Sequence, residues 1–386
     1  MSTGPLAGIR VVEIGSIGPG PFCAMVLADL GADVLRVDRL TGAGLVGPSS
    51  DFSTELLNRG RRSIAVDLKH PDGPEVVLKL VEQADALIEG FRPGVCERLG
   101  IGPDECLARN PRLIYGRMTG YGQDGPMAQA VGHDLNYIAQ AGVLSMIGRR
   151  HQPPTPPLSL VGDFGGGGLM LALGIVCAIV ERARSGQGQV VDAAMIEGAA
   201  VLATCFYGYL QTGAWSPERG TNIVDSGAPF YDAYECADGR YLTVAAMEPK
   251  FYAALVELLG LEDLPDQHDH ARWPEMKERF AAAIKTRTRD EWCELAEGLE
   301  VCIAPVLAAD EVASDPHLSA RGSFVEAGGI VQPAPAPRFS RTPASLSHLP
   351  PQPGEHTAEA LVDWGFGADE IATLLEARAI GELVKA

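Results

Sequence analysis

The first third of the chain alternates short β-branched runs with helix-length segments, and this alternation restricts the possible folds more than any other feature. Runs typical of strands occupy residues 9–14, 33–37, 63–66, 86–88 and 113–118. Segments with helical periodicity lie between them, at 21–30 and about 74–83. Strands separated by helices are joined by crossovers and pair in parallel. The sequence therefore predicts an α/β fold with a doubly wound, mostly parallel, Rossmann-like sheet.

The rest of the chain predicts a helical middle and a second, smaller domain. Residues 133–146, 168–184 and about 194–209 are typical of helices, and 189–191 of a last strand. Two β-runs, 231–235 and 241–246, flank Ala-Asp-Gly-Arg, and Asp-Gly between such runs indicates a hairpin. Residues 332–354 are rich in proline and predict an extended arm. We predict a large domain at 1–200, completed by an arm and helix at 330–386, and a small α+β domain at 225–325.

Composition argues against several kinds of partner. The net charge of −19 disfavours nucleic acid and anionic membranes. The longest apolar run, 169–180, is too short to span a bilayer, and we expect neither a signal peptide nor a peroxisomal signal. The eight cysteines have no metal-ligand spacing. We expect free thiols, no metal site and a cytoplasmic location.

The segment Gly-Ser-Ile-Gly-Pro-Gly-Pro at 15–21 lies where a dinucleotide-binding fold carries its glycine motif, and Asp38 ends the next strand. An NAD enzyme is therefore one alternative. However, Pro19 and Pro21 have no backbone N–H to offer a pyrophosphate. Cys23 occupies the position of the third glycine, which close helix–strand packing requires. The motif favours a tight strand-to-helix turn over a dinucleotide site.

Two ionisable residues stand at predicted helix starts. His133 opens one helix after Gly132, and Asp163 precedes the glycine run 165–168 at the start of another. The partial positive charge of a helix N-terminus favours neutral imidazole and ionised carboxylate, which are the basic forms of both groups. A histidine or aspartate at such a position is also common for structural reasons alone. Glycine disfavours a helix by about 1 kcal/mol relative to alanine, so the run indicates either close approach of a ligand or a flexible loop.

Positive charge is concentrated early in this acidic chain. The residues concerned are Arg36, Arg39, Arg59, Arg61, Arg62 and Lys69. Such a cluster fits a polyanionic small molecule. Each of these side chains is equally compatible with a solvated surface charge.

Eight segments, in order over nearly the whole chain, carry a resemblance to a known family. They are GSIGPGP at 15–21, LGADVLRVDR at 30–39, IEGFRPGVCERLG at 88–100, MTGYGQDGP at 118–126, GHDLNY at 132–137, VGDFGGGG at 161–168, ECADGRY at 235–241 and APRFSRTP at 336–343. These segments resemble the class III CoA-transferase superfamily (CaiB/BaiF type) and, within it, the racemases of α-methylacyl-CoA thioesters. The resemblance implies an interlocked homodimer, in which the C-terminal arm returns to the large domain.

The resemblance also implies a reaction and a site. The reaction is racemisation or epimerisation of 2-methylacyl-CoA thioesters by 1,1-proton transfer through an enolate. His133 and Asp163 would be the proton-transfer groups, and Glu248, a plausible N-cap before Pro249, would support His133 from the small domain of the other subunit. Coenzyme A belongs to the substrate, so no further cofactor is implied. The predicted coenzyme A contacts are Arg39, Arg59, Arg62, Asp67, Leu68, Lys69, Arg92 and Arg98.

Two other functions remain open. In transferases of this superfamily an aspartate at the position of Asp163 is a nucleophile that moves CoA between carboxylic acids. The histidine of Gly132-His133 favours the racemase, because the transferases usually lack it. A non-catalytic CoA-ester binding protein would keep the arginines and need neither His133 nor Asp163. The sequence does not identify the acyl group.

Overall fold

The structure is a computed structural model that describes residues 3–40 and 51–381. Its contacts divide the chain into two compact units. Within the described residues, the first unit contains 3–40, 51–141, 158–202 and 317–381, and the second contains 142–157 and 203–316. Residues 142–157, which the sequence assigns to the large domain, group with the second unit. The other predicted boundaries stay predictions.

The elements follow the chain in this order. The strands are β1 (Arg10–Ile14), β2 (Asp33–Asp38), β3 (Arg61–Val66), β4 (Ala86–Glu89), β5 (Ile114–Thr119), β6 (Gln189–Ala194), β7 (Tyr231–Glu235), β8 (Tyr241–Ala245), β9 (Ile303–Pro305), β10 (Phe324–Ala327), β11 (Ile330–Pro333) and β12 (Ile380–Gly381). The α-helices are α1 (Pro19–Asp29), α2 (Gly73–Val81), α3 (Val95–Arg98), α4 (Pro103–Arg109), α5 (Asp134–Gln140), α6 (Val143–Met146), α7 (Met170–Ser185), α8 (Met195–Leu202), α9 (Thr204–Thr212), α10 (Pro249–Leu258), α11 (Trp273–Ile284), α12 (Arg289–Leu295), α13 (Pro316–Ala320), α14 (Thr357–Asp363) and α15 (Ala368–Glu376).

The first unit is built on a seven-stranded sheet with the order β12-β3-β2-β1-β4-β5-β6. All pairs are parallel except β12 with β3. The predicted doubly wound, mostly parallel sheet is confirmed. The order reverses between β1 and β4, because β2 and β3 lie on one side of β1 and β4 to β6 on the other. Such a switch point leaves a crevice at the carboxyl ends of the strands.

Alternating residues of the central strands fill a core on each face of this sheet. On β1, Val12 and Ile14 belong to one apolar cluster and Val11 to the other, as the two-residue period of a strand requires. Trp364, which follows α14, is fully buried in the first of these clusters. Burial of an aliphatic side chain contributes about 1.5–3 kcal/mol. The C-terminal segment therefore helps to complete the core of the first unit.

Two predicted helices are interrupted. The predicted helix 133–146 divides at Gly142, whose φ of 78° lies in the left-handed region that glycine tolerates. The predicted helix 194–209 divides into α8 and α9 at Ala203.

The predicted helix 168–184 begins earlier than expected, because a π-helical segment, Leu160–Leu169, leads directly into α7. By length and composition alone the continuous helical stretch Leu160–Ser185 would be able to cross a membrane, a property shared by core helices of soluble proteins.

The second unit contains a small antiparallel sheet. The predicted hairpin is confirmed, since β7 pairs antiparallel with β8, and β9 adds to the other edge of β8. Apolar residues of these strands pack with α10, α11 and α12, whose contributions include Leu255, Phe280 and Trp292. This unit therefore has a core of its own.

Candidate active site

A cleft of about 1050 Å³ opens at the switch point of the large sheet. It is formed by segments that follow the carboxyl ends of β1, β4 and β5, where ligands bind in open α/β sheets. Helix α5 and the π-helical segment Leu160–Leu169 complete its wall. Its lining includes Ser16, Gly18, Arg36, Gly90, Arg92, Tyr121, His133, Asn136, Tyr137, Asp163, Phe164 and Met195. His133 and Asp163, which are thirty positions apart in the sequence, therefore face the same space.

His133 is the N-cap residue of α5. Its backbone is extended (φ −131°, ψ 175°), and its N–H donates to Asn136 Oδ1 at 3.0 Å. The side chain is exposed and lines the cleft. The imidazole is thus available to a bound molecule, while the polypeptide that carries it is held by the helix start.

Asp163 lies in the first turn of the π-helical segment, half-buried beside the start of α1. A Cβ on Gly18, which has φ 68°, would lie 3.3 Å from Asp163 Oδ2, so this glycine lets the carboxylate approach closely. Burial, the negative charge of Asp134 and, in the opposite sense, His133 together raise the pKa of Asp163 to about 6. A carboxyl group with this pKa exchanges protons near neutral pH, which suits a general acid or base.

The segment around Asp163 is held by a residue that sequence reasoning missed. Asp134 is buried, and its Oδ1 accepts the backbone N–H groups of both Gly162 and Asp163 at 2.7 Å. The only signal in the sequence is that Asp134 directly follows His133 in the Gly-His-Asp-Leu-Asn-Tyr motif. The partner groups lie 28 and 29 positions away.

The glycine run 165–168 packs against other helices. A Cβ on Gly166 would lie 2.6 Å from the backbone N of Ala199 in α8, and one on Gly168 would lie 2.6 Å from the carbonyl of Pro19 in α1. Close backbone packing of the π-helical segment therefore explains these two glycines. Neither a flexible loop nor a ligand is needed to account for them.

A buried charge network lies behind the turn at 15–21. Arg36 donates to Glu13 Oε1 at 2.6 Å, to Asp38 Oδ1 at 2.9 Å and to the carbonyl of Ser16 at 3.4 Å. Arg61 donates to the other carboxylate oxygen of Glu13. Glu13 and Arg61 are fully buried. Arg36 and Arg61, which the sequence placed in a cluster for polyanions, thus stabilise the turn that forms one side of the cleft.

Two of the predicted coenzyme A contacts are held in ion pairs. Arg59 is buried and donates to Asp29 Oδ2 at 2.6 Å, to Gln332 Oε1 at 2.9 Å and to the carbonyl of Pro333 at 2.8 Å. Arg62 pairs with Asp363 at 2.7 Å and with Asp33 at 3.3 Å. These contacts connect early and late parts of the first unit, and they give no support to a phosphate contact by Arg59.

The other predicted contacts are more accessible. Arg39, Lys69, Arg92 and Arg98 are exposed, and none of them forms an ion pair with another described residue. Only Arg92 of these four lines the cleft. Asp67 accepts the N–H of Lys69 at 2.9 Å, and Leu68 packs against the core. Their contacts with coenzyme A stay predictions.

Glu248 belongs to the second unit. It is exposed and is the N-cap residue of α10, immediately before Pro249. Its predicted support of His133 in another subunit stays a prediction. In the described part of the chain, no group of three or more His, Cys, Asp or Glu side chains is placed to hold a metal ion.

Comparison with known proteins relates this arrangement to a family of CoA enzymes. Residues 6–357 match the model of CoA-transferase family III. The α-methylacyl-CoA racemase of Mus musculus is 48% identical over 379 residues, which cover 97% of each chain. The α-methylacyl-CoA racemase of Homo sapiens is 46% identical over 96% of each chain. The crystal structure of a CaiB/BaiF family protein from Brucella suis superposes with a TM-score of 0.81 at 30% identity, covering 94% of this chain and all of the other.

Proposed function

The chain belongs to CoA-transferase family III, and we propose that it is a racemase or epimerase of 2-methylacyl-CoA thioesters. The observation that carries the proposal is the placement of His133 and Asp163 on the wall of one cleft. The proposal is supported by the similarity to two α-methylacyl-CoA racemases, which extends over nearly the whole chain. The proposed reaction needs no cofactor besides the coenzyme A that the substrate carries.

The chemistry follows from a hydrogen acidified by the neighbouring thioester. In one direction the neutral imidazole of His133 takes the α-proton, and the electron pair of the C–H bond moves into the thioester as an enolate. The protonated carboxyl of Asp163 then delivers a proton to the opposite face of the same carbon. In the other direction the two groups exchange roles. The pKa of Asp163, raised to about 6, brings its acid and base forms within reach near neutral pH.

The decisive experiment follows isotope and configuration together. The protein is incubated with one enantiomer of a 2-methylacyl-CoA in heavy water, and we expect deuterium at the α-carbon of both enantiomers as the mixture becomes racemic. His133→Ala should lose the inversion, because one face then lacks its acid or base. Full exchange and full inversion by His133→Ala would contradict the assignment.

The second candidate function is CoA transfer, which the family description itself favours. There the Asp163 carboxylate would attack the thioester, expel the CoA thiolate and form an acyl–enzyme anhydride. Hydroxylamine added with an acyl-CoA would trap that anhydride, and a carboxylic acid added instead would accept the CoA. Thioester formation on the added acid, without α-hydrogen exchange, would replace the racemase by a transferase.

We also propose that the coenzyme A part of the substrate contacts Arg92. Arg92 is exposed in the cleft wall and has no ion-pair partner among the residues that the structure describes. A free guanidinium suits a phosphate, because it offers paired N–H donors with a full charge.

Assembly as a homodimer is a further part of the proposal. Three apolar side chains lie on one side of the continuous helical stretch Leu160–Ser185, as their spacing requires. They are Leu169, Leu173 and Val180, which are 50%, 57% and 60% exposed. A contiguous exposed apolar face marks an interaction surface. Leu173→Asp should convert the dimer into monomer, measured by light scattering at micromolar concentration. A wild-type monomer would contradict this part of the proposal.

A further inference from the structure

Asp134 occupies the junction of the two elements that carry the proposed proton-transfer groups. It is the first residue of α5, next to His133, and it is 5% exposed. Its Oδ1 accepts the N–H groups of Gly162 and Asp163, each at 2.7 Å. A Cβ on Gly162 would lie 2.5 Å from the same oxygen. The carboxylate is therefore packed directly against the backbone that bears Asp163.

The backbone N–H groups of Gly162 and Asp163, which donate to Asp134, have no partner inside their own helix. The first backbone bond of the π-helical segment is donated by Phe164 to the carbonyl of Ser159 at 3.2 Å. Gly162 and Asp163 precede Phe164, so their N–H groups are orphans of a helix start. A helix-capping group normally precedes its own helix. Here the capping carboxylate comes from α5, so it joins two helix starts that are distant in sequence.

We propose that Asp134 is a positioning residue for proton transfer, which fixes His133 and Asp163 relative to each other and keeps a negative charge beside the Asp163 carboxylate. The inference rests on the proposed racemase function, because it assigns a task to the geometry of that pair. A transfer between two faces of one carbon requires both groups at set distances from it. A displacement of about 1 Å costs on the order of 10²-fold in rate.

An ordinary helix cap needs only a hydrogen-bond acceptor, whereas the proposed role of Asp134 also needs its negative charge. The pKa of Asp163 is raised to about 6 by burial first and by Asp134 second, while His133 acts in the opposite direction. Tyr137 of α5 also interacts with Asp163. At the start of α1, a Cβ on Gly18 would lie 3.3 Å from Asp163 Oδ2, and this residue carries no charge. Removal of the Asp134 charge should therefore shift the titration of Asp163 to lower pH.

Two variants separate the hydrogen bonds of Asp134 from its charge. Asp134→Asn keeps a side-chain oxygen that accepts both N–H groups and removes the charge. We expect it to retain most of the turnover. In the direction in which Asp163 is the base, the acid limb of its kcat/KM profile should move to lower pH. Asp134→Ala removes the acceptor as well, and we expect kcat to fall by about 10²-fold with KM little changed.

Asp85→Asn is the matched control. Asp85 also accepts a backbone N–H, that of Arg10 at 2.9 Å, and pairs with Arg182, but it does not line the cleft. Asp85→Asn should lower stability and leave the pH profile in place. If Asp134→Ala does not fold, the profile of Asp134→Asn decides the question.

The readout is α-hydrogen exchange of a 2-methylacyl-CoA in heavy water, measured separately for each enantiomer because Asp163 is the base for only one of them, and first for the wild-type protein across pH. An unmoved acid limb in Asp134→Asn, or a folded Asp134→Ala with wild-type turnover, overturns the role of Asp134 while the racemase stands. Absence of exchange in the wild-type protein overturns the racemase, and the inference with it. The two failures are therefore distinguishable.

Discussion

Gly166 and Gly198 face each other so closely that a Cβ on Gly198 would lie 1.8 Å from the carbonyl oxygen of Gly166. The first residue belongs to the π-helical segment that carries Asp163, and the second belongs to α8. Because the obstructing atoms are backbone, no side-chain rotation can relieve the overlap. This contact places the Asp163 segment against the helix that follows β6.

Gly198→Ala should therefore impair both stability and activity. We expect a loss of about 1–3 kcal/mol in the free energy of unfolding, as for other overpacked interiors, measured by urea denaturation. We also expect slower α-hydrogen exchange, because the overlap displaces the segment that bears Asp163. Gly208→Ala is the control, since a Cβ there meets nothing within 4 Å. Equal stability of the two variants would show that the contact is not close in solution.

The pKa of Asp163 predicts how stability varies with pH. Burial, aided by Asp134 and opposed by His133, raises this pKa from 3.8 to about 6, so the folded state binds the proton more tightly than the unfolded state does. The contribution of this group to stability is full below pH 3.8 and is lost as pH rises through about 6. Asp163→Asn, which mimics the protonated form, should raise the melting temperature above pH 6 and leave it unchanged near pH 4.

Asp232→Asn provides a comparison of opposite sign. Burial acts to raise the pKa of Asp232, but hydrogen bonds from Arg149 and Lys277 outweigh it and lower the pKa below 3.8. The stability from this group is present at neutral pH and is lost as pH falls through the lowered value. The variant should therefore melt at lower temperature than the wild type at pH 7. Parallel behaviour of the two variants would contradict the assignment of either shift.

How much of this arrangement the sequence could predict depends on the range of the interactions. The alternation of strands and helices predicts the large sheet, because it is a local pattern. The site residues could be predicted only through the resemblance to the family, since a single histidine at a helix start, such as His133, is also common for structural reasons alone. The hydrogen bond that the Asp163 backbone N–H donates to Asp134 could not be predicted, because it depends on the packing of two helix starts. The ion pair of Arg59 with Asp29 could not be predicted either, since the two residues are brought together only in the folded chain.

Arg59→Gln should lower the free energy of unfolding. Both side chains of the Arg59–Asp29 pair are 6% exposed, and the loss of one partner leaves a buried charge unpaired. Breaking such a pair costs about 3–5 kcal/mol, which denaturant unfolding would measure. Arg150→Gln is the control, because its pair with Glu218 is 46% and 49% exposed and, being screened by solvent, should contribute little to stability. A stable Arg59→Gln protein with a raised KM for acyl-CoA would instead indicate a substrate contact.

Arg92→Gln should act on substrate binding. Arg92 lines the cleft and has no ion-pair partner among the described residues, so its removal leaves the folded chain intact and takes one cation from a polyanionic substrate. We expect KM for acyl-CoA to rise about tenfold, which corresponds to 1.4 kcal/mol, with kcat and melting temperature near their wild-type values. The dependence of KM on salt should weaken as well, because one charge–charge interaction is missing. Arg109→Gln is the control, since Arg109 pairs with Glu75 and Glu82 and does not line the cleft. An unchanged KM and salt dependence in Arg92→Gln would place the coenzyme A phosphates elsewhere on the first unit.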